Sequence, residues 1–158
     1  MDAGRKSVKR EDMMETFGSL CDKLTIVKLK QYHTQDLKRL DSLAIQEIQL
    51  CEEIDTYIND AISGKIPQDR LIFSSNKIYK SDGNEVNTVT GSVSKIFSEL
   101  ARVNCCLWHE QEKVYEFERV PPNEKDKVVK QLALLNLQRT QCIDEIDKTL
   151  QNMIVGYH

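Results

Sequence analysis

The residues of this 158-residue chain that could do chemistry stand where apolar residues belong. Apolar side chains recur at alternating three- and four-residue spacing, the mark of one buried helical face, through Phe17, Leu20, Leu24 and Val27, and similarly further along. Glu47, Glu110 and Arg139 each interrupt such a face, and Arg139 is the only basic residue to do so. An unpaired buried charge costs several kcal/mol while a paired one roughly breaks even, so each interruption needs a partner. Glu47 is expected to meet Arg139, with Asn136 one turn earlier and Asn104 on the preceding helix completing the network. Such a layer either fixes the register of the helices or holds a ligand, since a guanidinium beside amides suits a carboxylate or a phosphate. Tyr32-His33 and Trp108-His109 fall outside the seam, where a tryptophan needs a cover, and Asp22 and His33 bracket Ile26 and Leu29 on the outward side of the first helix. The candidate ligand-binding residues are therefore Asp22, His33, Glu47, Asn104, Trp108, His109, Asn136 and Arg139.

Other chemistries find little support. His109 and Glu112 share a helix face, but the Glu-x-x-His pattern of di-iron bundles does not occur, and neither a metal site nor a cofactor is expected. Glu52-Glu53 and Asp144-x-x-Asp147 partly echo the acidic clusters with which helical nucleotide pyrophosphohydrolases bind Mg²⁺, an echo that charged outer helix faces produce constantly. No serine or cysteine carries a local activating signature, and there is no glycine-rich phosphate loop. Cys21, Cys51, Cys105, Cys106 and Cys142 all lie in apolar periodic segments without metal-ligand spacing and read as reduced core residues.

These residues need a helical scaffold. With 40% hydrophobic and 30% charged residues, six Gly and three Pro, the composition excludes collagen-like and disordered classes for most of the chain, and a formal charge of −3 supplies no field for nucleic acid or an anionic membrane. No apolar run approaches the roughly 20 residues that span a bilayer, and no leader-like segment opens the chain, so a cytoplasmic location is expected. The periodicity predicts helices from Phe17 to near Thr34, over about 37–62, from near Ser92 to before Pro121-Pro122, and on to about Val155. The second seam reads Leu37, Leu40, Ala44, Cys51, Ile54, Ile58 and Ala61; Asn123 and Asp126 resemble a cap for the fourth helix, with Gly156 ending it. The fold class is all-α, an antiparallel four-helix bundle: a disordered basic tail over 1–12, then one domain over 13–158 with hairpin one at 16–64, a covering loop at 63–90 and hairpin two at 91–156. Within the loop a short β-hairpin is foreseen between Lys77 and Val89.

The two hairpins look duplicated. An offset of 92 lays Glu53-Ile54-Asp55 on Glu145-Ile146-Asp147, Glu47 on Arg139 and Gly64 on Gly156. An offset of 76 lays Tyr32-His33 on Trp108-His109 and Leu24 on Leu100. The difference makes the second hairpin longer by about eight residues per helix, roughly 12 Å. Ile26 and Leu29, opposite an already apolar seam, form a stripe that the loop or a second subunit should bury, so a homodimer or another protein partner is expected.

Gly18-Ser19-Leu20-Cys21-Asp22-Lys23-Leu24-Thr25-Ile26 with Leu29-Lys30-Gln31-Tyr32-His33 resembles the G-S-x-x-D-[KR]-L-[ST]-I … L-K-x-[YW]-H pattern of a bacterial family, domain of unknown function 4254. Asn104 to Glu112 is similar to its N-x-x-[LQ]-W-H-x-E-D segment, with Gln111 where an acid is usual. Leu135-Asn136-Leu137-Gln138-Arg139 with Ile143 and Ile146-Asp147 resembles its closing L-N-x-x-R-N-x-x-I-x-x-I-D, with Thr140 in place of asparagine. The resemblance implies a small helical protein without an established reaction, associated with cell-envelope polysaccharide synthesis. The expectation is a non-enzymatic accessory or binding module. The alternative is an enzyme that binds a phosphorylated or sugar-nucleotide ligand, an anionic small molecule, around Arg139 and Trp108-His109.

Overall fold

The computed structural model describes residues 15–73 and 89–157; the tail over 1–12 and most of the foreseen β-hairpin lie outside them. Four helices account for most of the described chain: α1 (Phe17–His33), α2 (Leu37–Ile62), α3 (Val93–Tyr115) and α4 (Lys125–Tyr157). Short 3₁₀ turns at Gln68–Arg70 and Phe117–Arg119 follow α2 and α3, and no strand occurs among the described residues.

Side-chain caps set three of the starts, because the first N–H groups of a helix have no partner within it. Thr16 accepts from the Ser19 N–H, Asp36 from that of Arg39, and Ser92 from that of Lys95. Beyond α2, Gly64 adopts a φ of +81°, a left-handed turn that costs glycine nothing. The fourth helix departs from expectation at both ends. The carbonyl of Glu124, not Asn123, accepts its first bond, from the Val128 N–H. At the other end α4 runs through Gly156 to Tyr157 instead of stopping at the glycine.

Packing makes α1 the central helix. It lies against α2, α3 and α4, and α3 lies against α4, whereas among the described elements the extensive packing of α2 is on α1 alone. Phe17 stacks on Tyr57 and Gln31 reaches Glu47, so α1 and α2 run in opposite senses; Gly18 reaches Asp147 while Asp22 reaches Arg139, so α1 and α4 do too. The core joins Phe17, Leu20 and Cys21 to Tyr57, Ala61, Ile96, Leu100, Cys142 and Ile146. Ile66 and Leu71, just after α2, are buried in the same cluster, and Val89 packs against it.

Two sequence readings are corrected here. In α2 the buried residues are Leu43, Tyr57 and Ala61, with Leu50, Ile54 and Ile58 packed beside them; Leu37 is 76% exposed, and Ala44 and Cys51 also face outward. Having one extensive neighbour, α2 buries one face, and the apolar residues on its other sides stay outside. Of the five cysteines, all free, only Cys21 and Cys142 are buried; Cys51 and Cys105 are exposed and Cys106 is half-buried. No described helix is long and apolar enough to cross a membrane.

Candidate functional site

A polar knot stitches α1, α3 and α4 together at Asp22. The carboxylate is 3% exposed. Its Oδ1 accepts from Asn104 Nδ2 at 2.9 Å and from Arg139 Nε at 2.9 Å, and its Oδ2 accepts from Arg139 Nη2. Asn104 Nδ2 also donates to Thr25 Oγ1 at 2.7 Å, and Thr25 in turn donates to the Asp22 carbonyl. The paired carboxylate pushes the Arg139 guanidinium further into its charged range. Asn104 Oδ1 is buried without a partner among the described residues, an unmet acceptor of the knot. Fork-to-fork pairing of this kind fixes a guanidinium in direction as well as in place.

One helical turn earlier, the main chains of α1 and α4 come into close approach. A Cβ on Gly18 would lie 2.5 Å from the Ile143 carbonyl oxygen and 3.0 Å from Asp147 Oδ1. The bare glycine lets its own N–H donate to Asp147 Oδ1 at 2.7 Å, and Thr16 adds a side-chain bond to the same carboxylate. Burial nonetheless pushes Asp147 up to about 6, a rise that the Gly18 and Thr16 bonds oppose and Asp144 reinforces. Burial, reinforced by Asp147 and Asp22, also drives the Cys21 thiol up to about 12, which keeps it protonated and unreactive.

The expected partnership of Arg139 with Glu47 does not form. Glu47 takes bonds from Lys28 Nζ and Gln31 Nε2, each at 2.8 Å, and these donors, Lys28 first, hold it below its usual range. The α1 helix packs against both α2 and α4 and offers Arg139 the nearer carboxylate, Asp22. Asn136 also drops out: it is exposed and its amide folds back onto the Leu132 carbonyl of its own helix. The aromatic candidates do converge. His33 stacks on Trp108 with centroids 4.6 Å apart, and His109 meets His33 edge-on at 6.3 Å. Trp108 Nε1 donates to Glu112, and His33 Nδ1 is 2.8 Å from the Leu29 carbonyl. Because a carbonyl can only accept, Nδ1 is the donor of this bond.

These groups open onto a groove along α1. A cavity of about 370 Å³ between α1, α2 and α4 is lined by Asp22, Lys23, Ile26, Lys30, Gln49, Glu53 and Arg139, among others. The Arg139 side chain is 35% exposed there, half-in and half-out of the knot. A second cavity of about 470 Å³, toward the α1–α2 turn, is lined by Lys30, His33, Thr34, Arg39, Ser42, Gln46 and Trp108. Lys30 and Gln46 line both, so the two are chambers of one groove. On the other side of α1, Leu24, Leu29, Tyr32, Phe97 and Ala101 line an apolar groove of about 480 Å³. The expected Ile26–Leu29 stripe is thus split between two grooves. Among the described residues no group of three or more His, Cys, Asp and Glu is placed to hold a metal ion.

Sequence reasoning missed Thr25, Lys30, Arg39, Ser42 and Gln46. The signal was present in the helical spacing: Lys23 and Lys30 recur after two turns of α1, and Arg39, Ser42 and Gln46 repeat at three and four on α2. Set against models of known families, curated proteins and solved structures, the chain matches none.

Proposed function

We propose that this chain is a binding module without a reaction of its own, which takes an anionic small molecule in the groove beside α1. The observation that carries the proposal is Arg139: Asp22 holds its Nε and Nη2, while Nη1 has no partner among the described residues and the side chain opens into a cavity shared with Lys23 and Lys30. A guanidinium pre-aligned by a buried carboxylate can meet an anion without first ordering a flexible side chain. The three segments similar to domain of unknown function 4254 supply Asp22, Asn104 and Arg139 to this one knot, which supports the reading and, through that family, an accessory place in cell-envelope polysaccharide synthesis.

A thermal-shift screen with nucleotides, sugar phosphates, sugar nucleotides, uronic acids and divalent metals tests it. A ligand at one hundred times its Kd stabilises by about 2.7 kcal/mol. An anion is expected to raise the melting temperature, and Arg139→Gln and Lys30→Gln to remove that protection; a flat response across every anion defeats the proposal. Turnover of a protective phosphorylated or sugar-nucleotide ligand, lost in Arg139→Gln, would instead make the protein an enzyme.

Two features of the architecture belong to the same proposal. Duplicated αα-hairpins are supported by His33 and His109, equivalent under the offset of 76, which lie 6.3 Å apart, and by lengths of 17 and 23 residues for α1 and α3 and of 26 and 33 for α2 and α4. The two copies then diverged, with Asp147 buried and its counterpart Asp55 exposed. A homodimer is the other part, supported by the apolar groove that Leu29 lines and by Tyr32 at its edge, 86% exposed.

A further inference from the structure

Resting on the reading of the groove as an anion site, the geometry points to a phosphorylated sugar as the ligand, with its phosphoryl group seated between Lys30 and Arg39 and its ring against the His33–Trp108 stack. The chamber toward the α1–α2 turn differs in kind from its neighbour. None of its eight lining residues is a carboxylate. Lys30 comes from α1 and Arg39 from α2, and neither has an ion-pair partner among the described residues, whereas Lys23, Lys28 and Arg139 each have one. Two cations facing one cavity without counter-charges repel each other until an anion arrives.

The hydroxyls point the same way. Thr34 Oγ1 accepts from the Asp36 N–H and Ser42 Oγ accepts from Gln46 Nε2, so each hydroxyl has its own proton left to donate. Lys30 and Arg39 can only donate, and Thr34 and Ser42 each add a proton to give, so donors converge from α1, the turn and α2. A phosphate monoester presents three terminal oxygens and no obligatory donor, which satisfies such a set; a planar carboxylate has two oxygens for the same donors. His33 and Trp108 supply a flat wall beside the seat, suited to the apolar face of a ring.

The adjoining chamber mixes signs, with Glu53 and Gln49 as acceptors and Lys23 and Arg139 as donors. Hydroxyl groups, which both donate and accept, fit a mixed lining where a second phosphate would meet acids. Phosphate at one end and hydroxyls at the other describe a phosphorylated sugar, either free or as part of a nucleotide.

Titration calorimetry at low salt separates the cases, with inorganic phosphate, ribose 5-phosphate, adenosine 5′-monophosphate, ribose, adenosine and glucuronate as probes. Ribose 5-phosphate or the mononucleotide is expected to bind at least about tenfold tighter than its unphosphorylated counterpart, with inorganic phosphate competing. Which of the two binds identifies the source of the sugar phosphate. Lys30→Gln and Arg39→Gln, both at exposed positions, are expected to lose about tenfold in affinity for the phosphorylated probe while melting as the parent does. Equal affinity with and without the phosphate, or unchanged affinity in both variants, overturns the seat. Glucuronate binding that depends on Arg139, with no binding of the phosphorylated probes, overturns the seat but leaves the groove reading standing. No binding of any probe at about 10 mM removes both.

Discussion

Asp22 concentrates the energetics of the site in one carboxylate. Removing Arg139 leaves it buried with an amide as its remaining cross-helix partner, and breaking a buried pair in this way costs about 3–5 kcal/mol, toward the lower end here because Arg139 is partly solvated. Arg139→Met is therefore expected to lower the urea midpoint strongly, and Asp22→Asn combined with Arg139→Met to recover most of the loss. A double-mutant cycle reads the coupling directly, and additive single effects would mean that the bridge does not form in solution. Asp147 is a second stressed carboxylate. Its pKa rises from an ordinary 3.8 to about 6 in the fold, so the native state binds the extra proton. The resulting stabilisation is complete below pH 3.8 and is lost as pH rises through 6, about 2–3 kcal/mol in all. Glu47 and Glu99, held low by their partners, contribute in the opposite direction, so the Asp147 effect is isolated by difference. The stability gap between wild type and Asp147→Asn is expected to shift by about 2 kcal/mol between pH 4.5 and pH 7.5. A gap independent of pH contradicts the assignment.

At the level of the elements, glycine separates two kinds of helix end. Gly18 sits where α1 touches the α4 backbone, and a methyl there meets the Ile143 carbonyl, which cannot move aside without bending α4. Gly18→Ala is expected to cost about 2–3 kcal/mol in chemical denaturation, the upper part of the usual penalty for overpacking. Gly156 has nothing within 4 Å of an added Cβ and lies inside the helix, so Gly156→Ala is expected to stabilise by up to about 1 kcal/mol. A stabilising Gly18→Ala would refute the close approach. The same pair of glycines shows what was legible in sequence. Helix spans followed from apolar spacing, and α2 runs from Leu37 to Ile62 because Asp36 caps one end and Gly64 turns the other. Gly156 was read as a stop because a glycine near the end of a helical pattern commonly ends it, but of Gly64 and Gly156 only Gly64 takes a positive φ. The phase of the α2 seam was not legible: its apolar residues, among them Leu37, Ile45, Ile48, Ile54 and Ile58, surround more than one face, and periodicity cannot say which face meets α1.

Across the whole molecule, α1 is held on three sides and α2 on one, and this asymmetry explains both what the sequence foretold of the site and where it failed. Arg139 was recognisable as a charge in an apolar face and Asn104 as its neighbour, whereas Asp22, read on the outward side of the first helix, is buried; their pairing depended on which helix lies between which, a property of the assembled bundle. The same asymmetry predicts how the fold opens. Local opening follows buried apolar contact, and the first half of α2 buries only Leu43 while exposing Leu37, Ile45 and Ile48. Amides of α2 between residues 38 and 50 are therefore expected to exchange with deuterium at least about tenfold faster than those in the middle of α1 and α4, and at a rate insensitive to protein concentration. Because Arg39, Ser42 and Gln46 wall the groove, a bound anion that bridges α1 and α2 should slow these amides selectively. If α2 in the free protein is instead as protected as α1, its outer face is covered by something else. Protection that fades on dilution, together with a light-scattering mass that falls toward one chain, would identify that cover as a second copy and move the dimer contact from the Leu29 groove to α2.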